Sequence, residues 1–201
     1  MRIIAGQRRG HKFDGPKGNT TRPTSDMVRE SLFNILGPEV EDRVVIDLFA
    51  GTGALGFEAL SRGATRAVFV ERDRDNVALI HRNLATLRFE DRARVQLADA
   101  YRWARLVEPS DEEPVVVFLD PPYRDYERHA GKVFDLLARL VEALPPGSTL
   151  AVESGRELDA EVLPGLDAWD VRRHGGTRVA IRTLTRTETP PPEPPSAGPL
   201  E

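Results

Sequence analysis

The sequence predicts a doubly wound, Rossmann-like α/β domain: a mostly parallel sheet of seven strands ending in an antiparallel hairpin, with a small basic hairpin or arm in front. Three observations predict it. Apolar runs of strand length alternate with helical stretches from residue 44 to residue 153. A glycine-rich turn, Gly51-Thr-Gly53-Ala-Leu-Gly56, follows the first run. Acidic residues stand at the ends of four successive runs: Asp47, Glu71, Asp99 and Asp120.

The elements follow in order. Residues 1–23 hold short apolar pieces, Ile3-Ile4-Ala5 and Phe13, among glycines and basic residues, which reads as a hairpin or arm. Thr24-Ser25 offers an N-cap. Val28, Leu32, Ile35 and Leu36 then recur at helical spacing until Gly37-Pro38 stops the helix. Strand-like runs are Val44–Phe49, Ala67–Glu71, Val95–Ala98, Val115–Leu119 and Thr149–Glu153, and helical stretches lie around 54–61, 74–87, 100–107 and 126–144. Gly63 and Gly147 stand where C-terminal turns belong. After residue 165 the pattern changes. Trp169–Arg173, a Gly175-Gly176 turn and Arg178–Arg182 read as an antiparallel hairpin closing the sheet. Residues 185–201 hold six of the 16 prolines and almost nothing apolar, so they read as a disordered tail. The division expected is an arm over 1–23, one α/β domain over 24–184 and a tail over 185–201.

Composition bounds the function. A chain of 201 residues, 40% hydrophobic, supports one domain with a real core. It has no cysteine, which excludes disulfides and thiolate metal sites and suits a reducing compartment. Its four histidines are scattered without metal-ligand spacing, so no metal is expected. No stretch reads as a membrane span or a signal peptide, and a soluble, cytoplasmic, monomeric protein is expected. Net charge is −4, but residues 1–25 carry a net +5 and the remainder −9. A basic arm on an acidic body suits a local phosphate-binding surface, with Arg8, Arg9, Lys12, Arg22 and Thr24 as its candidates. The bland alternative is a solvated charged terminus.

The chemistry sits at the strand ends. Val115–Leu119 runs directly into Asp120-Pro-Pro-Tyr123. Proline has no N–H and a fixed φ, so a Pro-Pro pair must leave the sheet, and the residue before it is held extended. Asp120 is therefore presented at a strand tip, where open α/β sheets bind ligands. A carboxylate, a proline carbonyl and a flat ring together suit a planar base carrying an amino group. The ordinary reading of the same residues is a strand-to-loop exit with a helix-capping Asp. Upstream, the glycine turn alone also fits a nicotinamide-binding site. Asp47 and Phe49-Ala50 precede Gly51 and Gly53, and an acid there can meet a ligand's ammonium group. Glu71, with Arg72 beside it, ends the second run about twenty residues on, where a ribose-binding acid belongs. Asp99, followed by Ala100, ends the third, where it can accept from an adenine amino group. Any one of these acids could be only a helix cap; four at successive strand ends are harder to explain that way.

With these elements in order, the chain resembles the bacterial 16S rRNA guanine-N2 methyltransferases of the RsmD family. The resemblance rests on Arg2–Gly6, Arg9-Gly10, Arg22-Pro-Thr-Ser-Asp26, Val28-Arg-Glu30, Leu32-Phe-Asn34, Asp47–Gly56, Glu58–Ala64, Asn83, Asp120–Tyr123 and Gly176–Val179, and runs from residue 2 to about 183. Met27 departs from it, since the family usually carries a basic residue there. The resemblance implies a class I methyltransferase fold and methyl transfer from S-adenosylmethionine to the exocyclic N2 of a guanine in 16S rRNA, free or in a small-subunit assembly particle. Asp120, Pro121, Pro122 and Tyr123 would be catalytic: Asp120 and the Pro121 carbonyl accept the two amino N–H groups, and Tyr123 stacks on the base. Alternatives are an adenine-N6 methyltransferase acting on RNA or DNA, a nicotinamide oxidoreductase, and a non-catalytic RNA-binding or ribosome assembly protein on the same fold.

Overall fold

The structure, a computed structural model, describes residues 1–15, 26–107, 113–128, 130–155, 158–159 and 161–185. Five parallel strands, β1 (Val44–Asp47), β2 (Arg66–Glu71), β3 (Ala93–Leu97), β4 (Val115–Leu119) and β5 (Thr149–Ser154), are followed by the antiparallel pair β6 (Asp170–His174) and β7 (Thr177–Thr183). The sheet order is β3-β2-β1-β4-β5-β7-β6. Chain direction across the sheet reverses between β1 and β4, and a crevice opens at the carboxyl ends of strands at such a switch point.

Helices cover both faces: α1 (Asp26–Leu36), α2 (Ala54–Ser61), α3 (Arg74–Leu87), α4 (Ala100–Arg105), α5 (Tyr123–Arg128) and α6 (Ala130–Ala143). Successive strand residues point to opposite faces, so each central strand feeds two cores. Val45, Phe69, Phe118 and Ala151 pack under Leu32 and Phe33 of α1, Phe57 and Leu60 of α2, and Ile80 of α3. Ile46, Val117, Leu119, Leu150 and Val152 pack under Ala104 of α4 and Val133, Leu137 and Leu140 of α6. Burial on both sides is why β4 is continuously apolar.

Several boundaries differ from expectation. The helix expected over 126–144 starts three residues earlier, at Tyr123, and is described over Tyr123–Arg128 and Ala130–Ala143, with residue 129 outside the described residues. Proline's fixed φ suits a helix start, and the Asp125 N–H donates to the Pro122 carbonyl (2.8 Å), beginning a turn directly behind the prolines. The first strand ends at Asp47, two residues early, and α4 ends at Arg105. Thr24-Ser25 and the tail from 186 onward lie outside the described residues.

The N-terminal segment is a hairpin in contact with the main core. Arg2 pairs with Lys12, and the N–H groups of Ile3 and Phe13 donate to the carbonyls of His11 (3.0 Å) and Met1 (3.1 Å). Ile3 and Phe13 are buried, and Phe13 meets Phe57 edge-on at 5.4 Å. Gly6 has φ +80°, and a Cβ there would fall 1.9 Å from the Ser61 carbonyl oxygen, so no side chain fits. Glu58 of α2, fully buried, anchors the segment. It accepts from the N–H groups of Ile4 (2.8 Å) and Ala5 (3.0 Å) and from Nε of Arg62 (2.7 Å). The equally buried Arg29 of α1 lies 3.8 Å from Glu58 and donates to the Arg2 carbonyl (2.7 Å) and to Asp26 (3.0 Å).

Candidate active site

A cleft of about 1140 Å³ opens at the carboxyl ends of β1, β2, β3 and β4. Of the residues assigned to a cofactor or to catalysis from sequence, Asp47, Phe49, Ala50, Gly51, Glu71, Arg72, Asp99, Ala100, Asp120, Pro121 and Pro122 all line it. Gly53 stands just behind, at the N-cap of α2, with φ +83°; a Cβ there would fall 2.7 Å from the Phe57 ring. Tyr123 opens α5, but its ring, like Arg22 and Thr24, lies outside the described residues.

The upstream acids each serve a local backbone role as well as facing the cleft. Asp47 is buried and accepts from the Gly56 N–H in the first turn of α2 (3.1 Å). Glu71 bridges two segments: Oε2 accepts from the Gly51 N–H (2.8 Å) and Oε1 from the Asp73 N–H (2.8 Å). Asp99 is the N-cap of α4, accepting from the Arg102 N–H (3.1 Å). Only Asp99 is the N-cap of the helix that follows it; the N-caps of α2 and α3 are Gly53 and Asp73, so Glu71 holds loop N–H groups and Asp47 an N–H inside the first turn of α2. A carboxylate has about four acceptor positions, so these bonds leave capacity for a ligand.

Asp47 carries the clearest electrostatic signal. Burial pushes its carboxyl up to about 7, the Gly56 N–H opposes the shift, and the Glu71 charge adds to it. The folded protein thus holds this proton more tightly than the unfolded chain. Stability from this group is full below the ordinary carboxyl range and declines as pH rises from about 4 through 7. A cation seated beside Asp47 would reverse that cost.

Aromatic residues complete the cofactor half. Phe49 and Tyr101 meet edge-on at 5.5 Å. The Tyr101 hydroxyl donates to Asp125 of α5 (2.9 Å), tying α4 to the helix that follows the prolines. Tyr126, fully buried, donates to the Glu153 carbonyl (2.9 Å) and is a packing residue.

The outer half of the cleft was not read from sequence. Beyond Asp120 its walls are Met27 and Val28 at the start of α1, Glu153 and Gly155 after β5, and the turn from His174 to Thr177. Ser31 Oγ lies 3.1 Å from both His174 ring nitrogens, so α1 and the β6–β7 turn touch over the sheet. Topology could have revealed this wall. β7 runs antiparallel to β5, so the β6–β7 turn must lie at the carboxyl end of β5.

Among the described basic candidates, Arg8, Arg9 and Lys12, none lines the cleft. Arg8 donates through its backbone N–H to Ser61 Oγ (3.0 Å) and through Nε to the Leu87 carbonyl (2.9 Å). Ser61 and Leu87 end α2 and α3, helices that run back from the cleft to the edge where strands begin. An 8-residue helix is about 12 Å long, so the Arg8 backbone stands roughly that far from the turn of α2 that Asp47 holds, and its side chain runs on toward the end of α3. Arg9 and Lys12 are exposed, and Lys12 is nearer the cleft because its partner Arg2 donates to Asp26 at the start of α1 (3.1 Å). Among the described residues no group of three or more His, Asp or Glu is placed to hold a metal ion, and no helix is long and apolar enough to cross a membrane.

Comparison with known proteins agrees with this architecture. The family model described as "Conserved hypothetical protein 95" matches residues 1–183. The Escherichia coli K12 protein named "Ribosomal RNA small subunit methyltransferase D" is 39% identical over 192 residues, spanning 92% of this chain and 90% of its own length. The solved structure of Escherichia coli yhhF, provisionally described as a methyltransferase, is 35% identical with a TM-score of 0.74, covering 92% of this chain and 98% of its own. A Salinibacter ruber RNA methyltransferase, solved in complex with S-adenosyl-L-homocysteine, shares the fold at 20% identity and a TM-score of 0.60, covering 84% of this chain and 97% of its own. The fold is that of the class I methyltransferases, and the chain belongs to the conserved hypothetical protein 95 family, the RsmD family of ribosomal RNA small subunit methyltransferases.

Proposed function

We propose that this protein transfers a methyl group from S-adenosylmethionine to the exocyclic N2 of a guanine in 16S rRNA. The observation that carries this is the placement of Asp120-Pro121-Pro122 in one cleft with Asp47, Glu71 and Asp99. The residues present fit the cofactor. Asp47 is a buried carboxylate whose ionisation lacks a cation, which the methionine ammonium would supply. Glu71 and Asp99 face the cleft with acceptor capacity for ribose hydroxyls and an adenine amino group. A dinucleotide fits poorly. The N–H groups of Gly51 and Gly53 already donate to Glu71 (2.8 Å) and to the Ala50 carbonyl (2.7 Å), and four carboxylates face the space a pyrophosphate would need.

When bound, S-adenosylmethionine supplies an electrophilic methyl group on a sulfonium. The chain's own residues prepare the acceptor. The guanine N2 lone pair is delocalised into the ring and is a weak nucleophile. Asp120 and the Pro121 carbonyl accept its two N–H groups, which turns the lone pair out of the ring plane. As nitrogen gains positive charge, the fixed Asp120 carboxylate stabilises it, by analogy with single oxyanion-hole donors about 3–4 kcal/mol. Holding the two reactants in line contributes more, up to about 7–11 kcal/mol in favourable cases. The base must be turned out of its stack to reach this depth, and Tyr123 is placed by sequence to stack on it.

Calorimetry with S-adenosylmethionine, S-adenosylhomocysteine and NADH tests the cofactor assignment. Both sulfur compounds are expected to bind and NADH is not. Affinity should be greater at pH 7 than at pH 6, because Asp47 must lose its proton to meet the ammonium. Asp47→Asn should weaken binding and remove that difference. Heat from NADH with none from the sulfur compounds would refute the assignment.

A further inference from the structure

We propose that Glu153 selects guanine at the acceptor end of the cleft, its carboxylate accepting the base's N1–H while Asp120 accepts from the N2 amino group. This rests on the guanine-N2 reading above and names the residue that would enforce it.

The placement follows from the sheet. β4 and β5 are parallel neighbours, and Leu119 pairs with Val152. The residue after each is Asp120, just past the end of β4, and Glu153, still within β5, so continuing the register by one residue sets the two acids level on adjacent chains, about 5 Å apart between backbones. Residues two apart share a face. Phe118 and Ala151 both pack in the core beneath α1 and α2, so Asp120 and Glu153 turn to that same side. Both line the cleft, as do Met27 and Val28.

A buried neighbour locates both charges. Tyr126 lies beneath them, and its hydroxyl donates to the Glu153 main-chain oxygen (2.9 Å). Burial, then the Asp120 charge and, in smaller measure, the Glu153 charge hold this phenol well above its ordinary pKa. Two carboxylates therefore act on one buried hydroxyl, which the Glu153 main chain and the Ser154 side chain also hold.

The chemistry then discriminates between bases. The guanine edge presents N1–H and the N2 amino group side by side, donors only, which two level carboxylates can accept together. A purine with an unprotonated N1 presents a lone pair there and meets a second negative charge. A site built for a donor rejects an analogue that lacks it, because a lone pair is then set against a carboxylate.

The test uses the shortest small-subunit rRNA fragment that the wild-type protein methylates, carrying guanine or 2-aminopurine at the methylated position. 2-Aminopurine keeps the amino group on C2 but has a bare N1. Wild type is expected to favour guanine by roughly 10- to 100-fold in kcat/KM. Glu153→Gln, whose amide can donate to a bare N1 or accept from N1–H, is expected to lower that ratio roughly tenfold or more. Any intrinsic difference between the two amines cancels in this comparison. Cofactor affinity by calorimetry should be unchanged, which shows that the variant is folded. If wild type forms N2-methylguanosine and Glu153→Gln keeps the wild-type ratio, this inference fails alone. If wild type forms no N2-methylguanosine, the acceptor reading fails and takes this inference with it.

Discussion

Replacing Asp120 with alanine is expected to lower methyl transfer by roughly 10²–10³-fold, the usual loss when one preorganised electrostatic partner is removed. The cause is local. Asp120 follows the last residue of β4 and is held extended by Pro121, so its carboxylate is fixed before any substrate arrives. Without it, only the neutral Pro121 carbonyl accepts from the amino nitrogen as charge develops there. Affinity for S-adenosylmethionine should change by no more than a few-fold, because the ammonium and ribose partners lie on β1 and β2. Single-turnover kinetics with calorimetry on the same variant would separate the two effects. A near-normal rate would mean that another group orients the acceptor.

The largest stability effect is expected at Glu58, remote from the chemistry. Its side chain is fully buried and joins three segments: the N-terminal hairpin through Ile4 and Ala5, α1 through Arg29, and α2 through Arg62. Glu58→Ala strands the buried Arg29 guanidinium with only exposed Asp26 as counter-charge. Breaking a buried ion pair from one side typically costs about 3–5 kcal/mol. For a chain of this size that corresponds to a fall in Tm of roughly 6–20 °C. Arg62→Ala should cost far less, since its side chain reaches solvent and leaves Glu58 with two backbone donors. Denaturation of both variants checks this. A loss below about 1 kcal/mol for Glu58→Ala would contradict the buried-pair account and mark the hairpin as loosely attached.

Much of the fold was legible because its strands are buried on both faces and read as unbroken apolar runs. Val115–Leu119 matched its element residue for residue. Helix ends were less legible. The start of α5 depends on how two prolines hand the chain to a first turn, a choice that periodicity does not encode. The inner half of the site was legible because strand ends concentrate ligand groups, and its acids fall there by spacing alone. The backbone bonds of Asp47, Glu71 and Asp99 were not, since each depends on which N–H group the following segment brings close. Nor was the position of Arg8: its bonds reach 53 and 79 residues along the chain, and local charge density says nothing about which end of the sheet a hairpin will cover. Glu153 was visible as the end of a strand, but only the register with β4 sets it level with Asp120.

The central claim is the methylated atom. Purified protein, S-adenosylmethionine and either free small-subunit rRNA or assembly particles should be incubated together, and the RNA digested to nucleosides for mass spectrometry. The account predicts N2-methylguanosine as the new product, lost in the Asp120→Ala sample. N6-methyladenosine as the product, or no methylated nucleoside from either substrate, would contradict it.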